Sequence, residues 1–216
     1  MTTNFRLRLK FWGVRGSIPT PLQQNMGYGG NTLCVEVRLP SGEIFVFDGG
    51  TGIRGLGDLL RKEHRDQGFE VSVFLTHFHW DHIQGIPFFL PLYNSENQVI
   101  FHTPHFPKDR YGNPSSKGGA EEILTGQMSN PYFPVNFELL LAKKSFEELD
   151  MKPTKFGNLT ISAFPLNHPG GAFGYRIESE GAVIVYATDL EHGDKKLDKV
   201  LREYSQNADL LIFDSH

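Results

Sequence analysis

The chain has 216 residues, 39% of them hydrophobic and 21% charged, with a net charge of −4. That length suits one domain with a substantial core, and the mild acidity argues against a surface built to coat nucleic acid. One cysteine, Cys34, excludes an intrachain disulfide, and no stretch reaches the length of a transmembrane helix.

The opening residues MTTNFRLRLKFWG lack the apolar core of a signal peptide, so a reducing, cytoplasmic setting is expected. Within them, residues 5–12 (FRLRLKFW) alternate strictly. The pattern predicts a half-buried strand with Leu7, Leu9 and Phe11 toward a core and Arg6, Arg8 and Lys10 outward. The three cations read as a solvated sheet face rather than a phosphate-attracting stripe. A loop, GVRGSIPT, follows. Residues 33–39 and 43–47 predict a hairpin around Pro40-Ser41-Gly42. Asp48-Gly49-Gly50-Thr51-Gly52 then breaks the second strand, and a helix over 53–65 is expected, which suggests a sheet flanked by helices. The glycine turn lacks the Lys-Ser/Thr of a P-loop, so it is not read as a nucleotide site.

Residues 71–76 predict a short buried strand, followed by an apolar segment over 86–93 and a strand over Gln98–His102. Residues 103–150 look like a loop-rich insertion. They hold Pro104, Pro107, Pro114, Pro131 and Pro134, the run Ser115-Ser116-Lys117-Gly118-Gly119, and a short helix around 119–125. Order returns with strands over Leu159–Leu166, Gly174–Ile177 and Ala182–Ala187. A helix over 194–206 and a buried strand over 209–214 complete the chain. Strands plus a helix occur in both halves, which suggests two similar layers.

The chemistry concentrates in THFHWDHIQG, residues 76–85. His77-x-His79-x-Asp81-His82 follows an apolar strand, and a strand carries residues i and i+2 on one face. His77 and His79 are therefore expected to point the same way, and the following turn brings Asp81 and His82 in from another direction. Neutral imidazoles suit zinc and other first-row ions, and a carboxylate compensates charge. Two ligands on each side point to two adjacent metals. His168, in FPLNHPG, and Asp189, in VIVYATD, likewise follow strands, where sheet proteins often place ligands.

These stretches, with FVFDGGTG, THFHWDH, LNHPGGAFGYR and VIVYATDLEHGD, resemble the metallo-β-lactamase superfamily, in its phosphodiesterase-like branch of ribonuclease Z and cyclic phosphodiesterases. The resemblance runs over nearly the whole chain. It implies a four-layer αββα sandwich of two mixed sheets, formed by residues 1–216 as a single domain. It also implies two divalent metal ions, zinc first, with manganese or iron as alternatives. By this resemblance His77, His79 and His168 hold one metal, Asp81 and His82 sit on the second, Asp189 bridges both, and Asp48 supports the ligands from behind. An Asp at 189, rather than a Cys, leans away from the zinc β-lactamases with a thiolate in the second site. One departure stands out. The branch carries a further histidine ligand on a later strand, whereas this chain ends at Asp214-Ser215-His216. The last helix–strand unit of the fold is therefore expected to be missing, with His216 or a second subunit as the stand-in.

A hydroxide bridging two metals attacks a phosphorus in line. Asp81, Glu191 and His192 are the candidate catalytic groups, the last two as proton donors to the leaving oxygen. The expected function is hydrolysis of a small phosphodiester such as a cyclic nucleotide, with RNA a less favoured substrate, no membrane partner and scope for a homo-oligomer. Two alternatives stay open: hydrolysis of a carbonyl substrate (lactone, thioester or β-lactam), or a catalytically incomplete metal-binding or interaction module.

Overall fold

Residues 5–65, 67–105 and 119–214 are described by the computed structural model, and contacts divide the chain into two units. One unit is Arg8–Thr103 with Gly118–Glu147, the N-terminal unit. The other is mainly Glu148–His216, the C-terminal unit. Pro107, Pro114, residues 115–118 of the glycine-serine run and His216 lie outside the described residues.

The N-terminal unit is built on a six-stranded sheet in the order β1-β2-β3-β4-β5-β6. The strands are β1 (Arg8–Gly13), β2 (Cys34–Arg38), β3 (Ile44–Phe47), β4 (Glu70–Phe74), β5 (Gln98–Pro104) and β6 (Lys143–Leu149). The expected hairpin is β2–β3, closed by the Gly42 N–H on the Leu39 carbonyl at 3.0 Å. Strands β3, β4 and β5 are parallel, and α1 (Gly52–His64) makes the crossover from β3 to β4. Ile53, Leu56 and Leu60 are buried on α1, a three-to-four-residue spacing that gives one apolar stripe. It packs with Val46, Val71, Val73 and Phe101 of the strands.

Strand β1 departs from the expected alternation. Leu9 is half-buried as read, but Phe11 is 46% exposed and Trp12 packs against the core instead. The register between β1 and β2 shifts between Phe11 and Gly13. A bulge adds one residue to one strand and so reverses which face the following side chains take. The region read as irregular also contains strand β6, whose sequence KKSFEEL is too polar to signal burial. The helix expected near 119–125 is α3 (Gly119–Gln127).

The C-terminal unit holds a five-stranded sheet, β11-β10-β9-β8-β7. Its strands are β7 (Thr154–Phe156), β8 (Leu159–Leu166), β9 (Ala172–Ser179), β10 (Ala182–Ala187) and β11 (Leu210–Phe213). Strands β7 to β10 run antiparallel, and β10 pairs with β11 in parallel through α4 (Lys195–Tyr204). Asp194 caps α4, accepting from the N–H groups of Lys196 and Leu197. Leu201 of α4 packs with Phe164 and Val185, and the Tyr204 ring stacks on Phe164 at 4.5 Å. Opposite Phe164 on β9 stands Gly174, where an added Cβ would lie 2.4 Å from the Phe164 ring. Strand β11 was expected to be buried, yet Leu210, Leu211 and Phe213 are exposed. Among the described residues it is the edge of its sheet, with a strand on one side only. Among the described residues no helix is long and apolar enough to cross a membrane.

Candidate metal centre

Phe47 of β3 pairs with Phe74 of β4, so these parallel strands end side by side. The residues that follow them, Asp48 and Leu75–His77, emerge together at the carboxyl end of the sheet. Asp48 takes φ 62°, a left-handed conformation that aspartate tolerates better than most residues. Its N–H donates to the Phe74 carbonyl at 2.9 Å. Its fully buried carboxylate accepts from the Thr76 N–H at 2.9 Å and from the Thr76 hydroxyl at 3.0 Å. The other carboxylate oxygen lies 2.9 Å from Nδ1 of His82. Nδ1 of His82 faces Asp48, and Nε2 stands 3.6 Å from the Asp81 carboxylate.

His77 and His79 were expected to point the same way as the strand ran on. The strand in fact stops at Phe74. The chain nevertheless brings the two rings together: Nε2 of His77 and Nδ1 of His79 stand 2.9 Å apart. Thr76 holds the other side of His77, its hydroxyl 3.1 Å from Nδ1. Two facing ring nitrogens can share one proton, or each can sit about 2 Å from one cation. Asp81 and His82 lie on α2 (Trp80–Ile83), a single turn of helix. The Ser17 N–H donates to the Asp81 carboxylate at 2.7 Å. His77, Asp81 and His82 are buried, whereas His79 is exposed.

The glycine turn after β3 serves this placement. The Gly49 N–H donates to the His82 carbonyl at 2.6 Å, and the Gly85 N–H to the Gly49 carbonyl at 2.9 Å. A Cβ on Gly50 would lie 2.3 Å from the Asp81 carbonyl oxygen, and one on Gly85 2.0 Å from that of Gly50. Only glycine lets these backbones approach so closely.

In the C-terminal unit His168 follows β8 and Asp189 follows β10, both half-buried. Hydrogen bonds join their loops. The Glu191 N–H donates to the Asn167 carbonyl at 2.7 Å, and the Asn167 amide donates to the Glu191 carbonyl at 2.8 Å. A ring nitrogen of His168 and a carboxylate oxygen of Asp189 lie within 4.8 Å of one another. Asp189 has φ 58°, close to that of Asp48. Glu191 and His192 are exposed, and Nδ1 of His192 is 3.4 Å from the Asp198 carboxylate.

Three positioning residues went unread in the sequence. Thr76 opens the histidine run and Asn167 precedes His168, so adjacency was the available signal. Ser17 carries none, because its contribution is a backbone N–H.

Oxygen and imidazole donors gathered at the carboxyl ends of strands define a class. A family model described as Beta-lactamase superfamily domain matches residues 44–216. The chain belongs to this family. It is similar to ribonuclease Z of Staphylococcus carnosus, 28% identical over 178 residues, which cover 80% of this chain and 50% of that protein. Among solved structures it resembles the metallo-β-lactamase fold protein YhfI of Bacillus subtilis, with a TM-score of 0.62 and 17% identity over 95% of this chain and 69% of that one. A diphosphatase of the PhnP family gives a TM-score of 0.64 at 17% identity, covering 95% and 73% of the two chains. The two mixed sheets with their helices are the metallo-β-lactamase fold. The chain spans about half the length of the curated relatives it matches.

Proposed function

We propose that the two units act as one domain and that the chain is a metal-dependent hydrolase of phosphodiesters. The observation that carries this is the buried array in which Asp48 and Thr76 orient His82 and His77. Such an array fits a cation: the donors are imidazole nitrogen and carboxylate oxygen, and the rings are fixed from behind by hydrogen bonds. His77, His79 and His168 would hold a first divalent metal, Asp81 and His82 a second, with Asp189 shared. Zinc suits these donors, as do manganese and iron. Bound there, two cations supply electrophilic charge and make water a nucleophile near neutral pH.

The chain's own residues do the remaining work. Asp48 fixes the tautomer of His82 through Nδ1. Ser17 holds one oxygen of Asp81 by its N–H. Asn167 and the backbone of Glu191 clip the His168 and Asp189 loops together. For the proton handed to a departing oxygen the candidates are His192, exposed and beside Asp198, and Glu191.

The mild net acidity favours a small phosphodiester over a long RNA. The named relative, a ribonuclease Z, favours RNA as a second reading. The test is a substrate panel on the full chain loaded with zinc or manganese: cyclic nucleotides, bis(p-nitrophenyl) phosphate, a short RNA, a lactone and a β-lactam. Phosphodiester turnover that disappears in His79→Ala and Asp189→Ala is expected. Turnover confined to the carbonyl substrates would overturn the proposal.

A further inference from the structure

The two tryptophans of the chain have opposite surroundings. Trp12 is half-buried, donates from its indole N–H to Glu36 at 2.8 Å, and carries the Lys10 ammonium 3.7 Å over its ring. Trp80 is 64% exposed, and its indole makes no hydrogen bond or ring contact among the described residues. It opens α2, between His79 and Asp81. An exposed indole between two candidate ligands offers a flat apolar face on which a bound group can stack.

A second segment brings another bare apolar side chain to the same carboxylate. The Ser17 N–H is held on Asp81 at 2.7 Å, and the next residue, Ile18, is 64% exposed. Asp81 is thus flanked in sequence by an exposed indole and in space by a loop carrying an exposed isoleucine. Both segments adjoin Asp81, so both are candidates to meet the ester substituents of a phosphodiester seated there. A flat aromatic heterocycle stacks on an indole, whereas a hydrated polyol or a methyl ester does not.

Resting on the phosphodiesterase reading, we propose that Trp80 is a specificity-determining residue that stacks the heterocyclic base of a nucleotide-derived phosphodiester, with Ile18 as a flanking apolar wall. The base is recognised by its π-face rather than by hydrogen bonds at its edge, so purine and pyrimidine substrates are both accepted, purines better for their larger rings.

Two measurements on the zinc-loaded full chain test this. In the first, tryptophan fluorescence is followed on adding adenosine monophosphate or inorganic phosphate. Quenching by the nucleotide and not by phosphate is expected, lost in Trp80→Phe and retained in Trp12→Phe. In the second, kcat/KM is compared for 2′,3′-cyclic AMP and for glycerol 1,2-cyclic phosphate, which presents the same ring without a base. Their ratio should fall about tenfold in Trp80→Ala, through KM, and recover in Trp80→Phe. Equal quenching by nucleotide and phosphate, or a ratio unchanged in Trp80→Ala, overturns the proposal. Nucleotide binding that depends on Trp80 without hydrolysis of either substrate supports the stacking residue while refuting the hydrolase. Hydrolysis of both with an unchanged ratio does the reverse.

Discussion

The two units hold their candidate ligands in different ways. In the N-terminal unit Asp48, Thr76, His77 and His82 are buried and tied to one another by side-chain hydrogen bonds, and the buried Asp81 carboxylate accepts from the Ser17 N–H. In the C-terminal unit His168 and Asp189 are half-buried on loops that one amide side chain and one backbone N–H hold together. A buried polar network must be fully satisfied, and its geometry is then set by folding itself. A pair of half-buried loops is easier to displace than a buried network. The N-terminal half is therefore the pre-arranged part of the proposed centre, and the C-terminal half is the part that a bound cation would organise.

The largest effect should come from Asp48→Ala. It strips the buried His82 and Thr76 of their acceptor, so thermal or urea unfolding should show a loss of about 3 kcal/mol. Metal affinity should fall about 10–100-fold, as for other removed partners of a ligating histidine. A stability loss without any change in metal affinity would separate Asp48 from the centre.

Acid probes the same unit from the far side of Phe74. His102 on β5 stacks on that ring at 4.5 Å, and burial lowers its pKa from 6.5 to about 4. The folded state therefore binds its proton less readily than the unfolded state. Stability from this group is complete above about pH 6.5 and declines as the pH falls toward about 4. The loss is on the order of 3 kcal/mol by linkage. Urea midpoints across that window should drop, and His102→Phe should flatten the drop. A slope that survives the substitution would assign it to other groups.

Gly50→Ala presses a methyl group onto the Asp81 and Leu33 carbonyls, at 2.3 and 2.6 Å. Overpacking of this kind costs about 1–3 kcal/mol. Because the clash lies behind Asp81, weaker metal binding should accompany the lower unfolding midpoint. The smallest effect is expected for Asn167→Ala, about 1 kcal/mol at most for one half-exposed hydrogen bond. Added zinc should restore its stability more fully than that of Asp48→Ala. Equal rescue of the two variants would erase the contrast between the units.

Much of the proposed centre could be read from the sequence because its candidate ligands are dense. Four of the six candidate ligands fall within His77–His82, and the other two close apolar strands. The strands were legible where both faces are apolar, as in Ala182–Ala187, or where residues alternate. Strand β6 was hidden by Lys143, Lys144, Glu147 and Glu148, and β1 by a bulge that no local pattern announces at Phe11. Strand β11 misled in the opposite direction: an apolar run signals burial, yet an edge position leaves it exposed. The supporting contacts were the least legible. The Ser17 N–H and the Gly50 approach are backbone geometry, fixed by residues distant in sequence.

The central claim is that the ligands of the two units form one two-metal centre. Anomalous diffraction from zinc-loaded crystals of the full chain tests it most directly. The account predicts two peaks, one touching His77, His79 and His168, the other touching Asp81 and His82, with Asp189 on both. A single peak confined to His77 and His79, or peaks that leave His168 and Asp189 without metal, would contradict it.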